Sequence, residues 1–165
     1  MGDEMATYYL EMTAKNELLK KGCSDSEFTI AEMEIKQWEV NKFLYCFIGK
    51  QWLWRDKLSW SDEQWSAYAL DENLKIFIGF KKASIVGYYE LKKVKDDVEI
   101  AYFGLAPEFI GKGYGGHLLT DCIEQAWRWG AKRVWVHTCD LDHSNALKNY
   151  QARGMKIYHV IPENV

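Results

Sequence analysis

The sequence predicts one α/β (α+β) domain, a mixed, mostly antiparallel, twisted sheet with helices on both faces. Three observations carry this. Three strand-like runs between residues 74 and 105 are joined by segments short enough for antiparallel hairpins. A glycine-rich segment and an amphipathic helix then separate the last of these runs from a further strand, which makes a strand–helix–strand unit. The length, 165 residues, with 48% hydrophobic and 27% charged residues, is ordinary for one domain. A chain of this size buries about two-thirds of its unfolded surface and needs no staple. The domain is taken as 1–165, with residues 1–26 as an N-terminal strand and short-helix extension.

Each element has its own signal. Residues 7–12 (TYYLEM) are a short strand, and residues 28–35 (FTIAEMEI) alternate imperfectly as a second. Residues 39–48 form a helix, because Val40, Phe43, Leu44 and Phe47 recur at i, i+3, i+4 and i+7. Ser61 is an N-cap and Gln64 completes a capping box, opening a helix to about Leu70. Residues 74–80, 84–91 and 98–105 are the hairpin strands. The helix after the glycines runs to about Trp129, with Leu119, Ile123, Ala126, Trp127 and Gly130 on one face. Residues 132–138 are a strand. Residues 145–153 form a short helix with Ser144 as N-cap and Gly154 in the C′ position. Residues 155–161 are the last strand.

Several function classes are excluded. The net charge is −3, which argues against a nucleic-acid binder relying on a general positive field. Cys23, Cys46, Cys122 and Cys139 contain no C-x-x-C pair and no zinc spacing with histidine, so no metal site is expected. Each cysteine reads as a small core residue. His137 and His143 read as structural, His137 in a buried strand. The first ten residues lack a secretion signal, and no apolar run reaches the roughly 18 residues of a membrane span. The expectation is a cytoplasmic protein with no membrane or nucleic-acid partner, and with a homodimer left open.

Residues 111–116 (GKGYGG) hold four glycines directly before a helix. Gly111, Gly113 and Gly116 fit G-x-G-x-x-G, but they start six positions after the strand and follow Pro107, unlike a dinucleotide fold. A P-loop fails, because Lys112 is followed by Gly113. What remains is an anion site, built from consecutive backbone N–H groups at a helix N-terminus.

Residues 98–119 (VEIAYFGLAPEFIGKGYGGHLL) resemble the strand–loop–helix block of the GNAT superfamily of N-acetyltransferases, whose loop reads Q/R-x-x-G-x-G/A. Glu99-Ile100 and the run from Lys112 to Leu118 look like the histone-acetylating branch. Ile110 stands where the motif opens with Gln or Arg. Residues 142–155 (DHSNALKNYQARGM) resemble the family's Asn-x-x-x-x-Tyr-x-x-x-Gly-Phe helix through Asn145, Tyr150 and Gly154, with Met155 in place of the aromatic. The N-terminal strand and the aromatic segment before Leu70 are not general family features.

The resemblance implies transfer of an acetyl group from acetyl-CoA to a primary amine of a small molecule or protein, by direct attack in a ternary complex. The alternative is a non-catalytic acetyl-CoA binding or sensing domain. Amides from Gly111 through Lys112, Gly113, Tyr114, Gly115 and Gly116 to His117 would hold the pyrophosphate. The backbone at Phe103 and Leu105 would take the pantetheine as an added strand, and Asn145 would contact the same arm. Glu99 is the base candidate against its plain reading as a strand carboxylate. Tyr150 is the partner of the departing thiolate. Trp54 and Arg55, within the Trp52–Trp65 aromatic cluster, are acceptor-side candidates, with Glu90 as a further acceptor contact. The same cluster also reads as a hydrophobic cap over the sheet.

Overall fold

The computed structural model describes residues 5–142 and 145–163. In chain order its elements are β1 (Met5–Met12), β2 (Phe28–Glu32), α1 (Trp38–Trp52), α2 (Asp62–Ala69), β3 (Leu74–Lys81), β4 (Ser84–Val94), β5 (Asp97–Leu105), α3 (Gly115–Arg128), β6 (Arg133–Cys139), α4 (Ala146–Ala152) and β7 (Lys156–Glu163). Short 3₁₀ turns lie at Lys15–Glu17 and Pro107–Phe109. The strands form one sheet in the order β2-β3-β4-β5-β6-β1-β7. Every pairing is antiparallel except β5 with β6. That parallel pair is joined through α3, as a parallel crossover requires. The mixed, mostly antiparallel architecture anticipated from the sequence is therefore present.

The position of β1 was not legible from the sequence. It lies inside the sheet between β6 and β7, whereas β2 is the opposite edge. The connection between them, residues 13–27, therefore crosses the molecule. It is held on the way by Leu19 N–H to the Arg153 carbonyl at 2.9 Å and Lys21 N–H to Thr120 Oγ1 at 3.0 Å. Lys81 Nζ and the Tyr114 hydroxyl both reach Asp25 Oδ2, at 2.6 Å each. These contacts hold the Asp25 carboxyl down at about 2 and the Lys81 ammonium up at about 12.

Helices cover both faces. Gly104 and Leu105 show why, since successive strand residues face opposite sides. A Cβ on Gly104 would meet Ile48 Cγ2 of α1 at 2.6 Å, so glycine lets α1 seat directly on β5. Leu105 instead reaches toward Gly115 at the start of α3. Leu118, Leu119, Cys122, Ile123 and Ala126 bury the α3 face against the sheet. Ser61 and Gln64 form the expected reciprocal capping box at α2. Gly154 adopts φ +102, the left-handed conformation that ends α4.

Several expectations need correction. α1 runs on to Trp52 and buries Asn41, Leu44, Tyr45, Ile48 and Gly49, while Phe43 is exposed. Counting only apolar residues rotates the face, because Asn41 points inward to donate to Glu90 Oε1 at 2.9 Å. β2 stops at Glu32. His137 is half-exposed, and Cys46 faces solvent; Cys122 is the cysteine packed fully in the core. His143 and Ser144 lie outside the described residues.

Candidate active site

The site is created where β5 and β6 part. They pair at Asp97, Val98 and Glu99, opposite Arg133, Val134 and Trp135, and then diverge. From Ile100 to Leu105, β5 keeps only its β4 neighbour. On that side Glu90 opposes Tyr102 and Leu91 opposes Ile100, so Ala101 is an extra, bulged residue. A bulge bends its strand and re-aims the neighbouring side chains.

Two cavities open along this gap. The larger has a volume of about 380 Å³ and is walled by β5, β6, α4 and the segment after α1. Glu99, Tyr150, Trp54 and Arg55 all line it, as do His137, Cys139 and Asp142. Glu99 is mostly buried, and burial raises its carboxyl against the opposing pull of His137, Lys92 and Lys57. His137 Nε2 stands 3.9 Å from Glu99 Oε2. The sequence missed His137 because only the β5–β6 register brings it beside Glu99. Tyr150 is 5% exposed and meets the Phe103 ring edge-on at 6.2 Å. Burial holds its hydroxyl well above the ordinary phenol range.

The aromatic cluster does hold a cation, and the cation is the chain's own. Lys57 Nζ lies 4.5 Å from the Trp60 ring centre and 4.9 Å from those of Tyr68 and Tyr102. It also donates to the Tyr102 hydroxyl at 2.8 Å and Asp56 Oδ2 at 3.0 Å. Desolvated cation–π contacts and an ion pair lock this wall. Among the Trp52–Trp65 residues the sequence pointed to Arg55, and Lys57 was overlooked two positions on.

Glu90 does not line the larger cavity. It is 1% exposed and sits behind the wall, accepting from Asn41 and from the Tyr68 hydroxyl at 2.5 Å. Burial pushes its carboxyl up to about 7. Its donor Tyr68 lines the cavity.

The smaller cavity, about 230 Å³, is walled by Phe103, Leu105, Gly111, Gly113, Gly115, Gly116 and Asn145, with Asn149 and Lys21. Gly111 and Gly113 have φ of +76 and +90, and a Cβ on either would meet nothing within 4 Å. The loop is therefore open and left-handed at two positions, which suits close approach of a ligand to the backbone. Tyr114 and His117 turn their side chains elsewhere. Tyr114 packs on Phe28 and Phe109, and His117 Nδ1 lies 3.2 Å from the Lys21 carbonyl oxygen. Lys112 is exposed. None of these three residues lines the smaller cavity. Asn149 Nδ2 donates to the Gly115 carbonyl at 3.1 Å, fastening α4 to the loop. Trp52, Phe103 and Ala146 line both cavities, so the two meet at β5.

Comparison with known proteins decides the class. Residues 32–155 match the model of the acetyltransferase (GNAT) family. The chain belongs to the GNAT family. GNAT relatives include uncharacterised N-acetyltransferases of Mycobacterium bovis and Mycobacterium tuberculosis, 31% identical over 98 residues, 59% of this chain. The chain spans 62% of the length of those relatives. A GCN5-related N-acetyltransferase from Sphaerobacter thermophilus superposes with a TM-score of 0.74 at 14% identity, covering 96% of this chain and 50% of its own. An aminoglycoside acetyltransferase from an uncultured soil sample, solved with trehalose, superposes with a TM-score of 0.65 at 16% identity, covering 78% and 88%. These solved structures share the GNAT fold. Among the described residues no helix is long and apolar enough to cross a membrane.

Proposed function

We propose that this GNAT domain transfers the acetyl group of acetyl-CoA to a primary amine, with both substrates bound together. The observation that carries this reading is the meeting of the two cavities at Phe103. One is lined by glycine backbone and the other by titratable side chains. The residues fit the cofactor. Two left-handed glycines and the first turn of α3 present N–H groups for a pyrophosphate, and the unpaired edge of β5 offers main-chain partners to a pantetheine arm. When bound, acetyl-CoA supplies an activated thioester.

The chain's own residues then have separate tasks. An alkylammonium has a pKa near 10 and must lose a proton before it can attack. Glu99, raised by burial and opening on the larger cavity, accepts that proton directly or through one water. His137, beside it on the more exposed side, passes the proton toward solvent. Tyr150, in the larger cavity against Phe103, hydrogen-bonds the leaving sulfur. A phenol is a weaker acid than a thiol by about 1.5 pKa units, so donation without full transfer suffices. The Lys57 cage keeps the acceptor wall in place. The acceptor is a small-molecule or protein amine; the aminoglycoside-acetylating relative marks amino sugars as one class to screen.

A panel of alkylamines, amino sugars and peptide amines, followed by free-thiol release from acetyl-CoA, tests this. Amine-dependent release is expected. Saturable acetyl-CoA binding with no release for any amine would replace the enzyme by a binding domain.

A further inference from the structure

Residues 13–27 lie outside the GNAT-matched region, yet one of them, Lys21, lines the glycine cavity. The path from β1 to β2 passes the N-terminus of α3, and two hydrogen bonds hold residue 21 there. Its N–H donates to Thr120 Oγ1, and its carbonyl oxygen faces His117 Nδ1. The Lys21 stem and the Arg153 guanidinium converge on the same spot, since a Cβ placed on Gly116 would collide with Lys21 Cδ and with Arg153 Nη1. Arg153 Nε is buried without a hydrogen-bond partner.

Among the described residues neither cation has a carboxylate partner. The acids nearby are engaged elsewhere, Asp25 with Lys81 and Tyr114, and Glu124 with Lys20 and Arg128. The Lys21 stem and Arg153 Nη1 both stand over Gly116 in the first turn of α3, so both side chains bring positive charge to the end of that helix where an anion is favoured. Lys21 and the glycine loop line the same cavity, and Arg153 reaches it at Gly116.

We propose that Lys21 and Arg153 form a phosphate clasp, one half from the N-terminal arm and one from the end of α4, that closes on a phosphate of coenzyme A at the start of α3. This rests on the acetyl-CoA reading above. The phosphate belongs either to the pyrophosphate or to the ribose 3′-phosphate. Charge-assisted bonds of this kind set the scale of the effect, about ten- to a hundred-fold in affinity.

Calorimetric titration of coenzyme A and of 3′-dephospho-coenzyme A into wild type, Lys21→Ala, Lys21→Arg and Arg153→Lys tests the clasp. Lys21→Ala should weaken coenzyme A by about ten-fold or more, and Lys21→Arg should recover most of it. Arg153→Lys keeps the charge but loses the fork, and should fall between wild type and Lys21→Ala. A defect kept with the dephospho compound assigns the pyrophosphate; a defect that vanishes assigns the 3′-phosphate. The ligand-free melting temperature of Lys21→Ala should stay close to that of wild type, because the two hydrogen bonds that hold residue 21 are made by its backbone. Wild-type affinity in Lys21→Ala overturns the clasp, and so does weakened binding that tracks a lower ligand-free melting temperature. No binding by wild type would overturn the acetyl-CoA reading itself.

Discussion

The two cavities meeting at Phe103 are built from different materials. The smaller is made of backbone: glycines at left-handed φ, the first turn of α3 and the free edge of β5. The larger is made of side chains: Glu99, His137, Tyr150 and an aromatic wall held by a half-buried lysine. Backbone groups are the same whatever the sequence, so a backbone site leaves its trace as glycine spacing and a helix start. A side-chain site can be rewritten one residue at a time, and in the proposed reaction it is where chemistry and acceptor are set. Substitutions in the two cavities should therefore fail in different ways.

The largest separation is expected from Glu99→Gln. Turnover should fall by about 10²–10⁴-fold at neutral pH, while acetyl-CoA affinity stays within a few-fold. Higher pH should recover part of the loss, because free amine then becomes abundant. Thiol-release rates across pH give the comparison, and an unchanged profile would return Glu99 to a plain strand carboxylate. Tyr150→Phe comes next, since the ring still packs on Phe103 and only the hydroxyl is lost. Turnover should drop by about ten-fold or more, the worth of one hydrogen bond to a charged sulfur, with acetyl-CoA affinity again preserved.

Glu90→Gln should act on stability and little on catalysis. The folded carboxyl is at about 7 against 4.5 as its ordinary value. Its stabilising contribution is full below the unfolded pKa, and it is lost as pH rises from about 4.5 to about 7. A shift of that size corresponds to about 3 kcal/mol. Denaturant melts should show wild type losing stability over this window by about that much more than Glu90→Gln. Parallel curves would mean that burial does not raise Glu90. The smallest effect belongs to the cofactor side. Ile110→Gln restores the motif's usual opening residue in a site made by amides, and acetyl-CoA affinity should stay within a few-fold.

The same division explains what could be read from the sequence. The hairpin strands, the Ser61–Gln64 cap, the glycine loop and Gly154 are local patterns, and each stands where its spacing placed it. Glu99 and Tyr150 were found through motifs, and the fold brings both into one cavity. Long-range pairing was invisible. Nothing in residues 5–12 says that β1 inserts between β6 and β7, and so nothing announces that Lys21 will reach the start of α3. His137 meets Glu99 only through the parallel register. Glu90 read as an acceptor contact, and its partners, Asn41 and Tyr68, could not be seen because they come from two separate helices.

The most direct measurement is calorimetric titration of acetyl-CoA into wild type, Gly113→Asp and Glu99→Gln side by side. Gly113→Asp puts a carboxylate into the open loop at a φ of +90, which disfavours a side chain as well as an anion. Wild type and Glu99→Gln should bind with affinities within a few-fold of one another, and Gly113→Asp should show no saturable binding. Normal affinity in Gly113→Asp, or an equal loss in Glu99→Gln, would contradict the separation of a backbone-built cofactor site from a side-chain-built acceptor site.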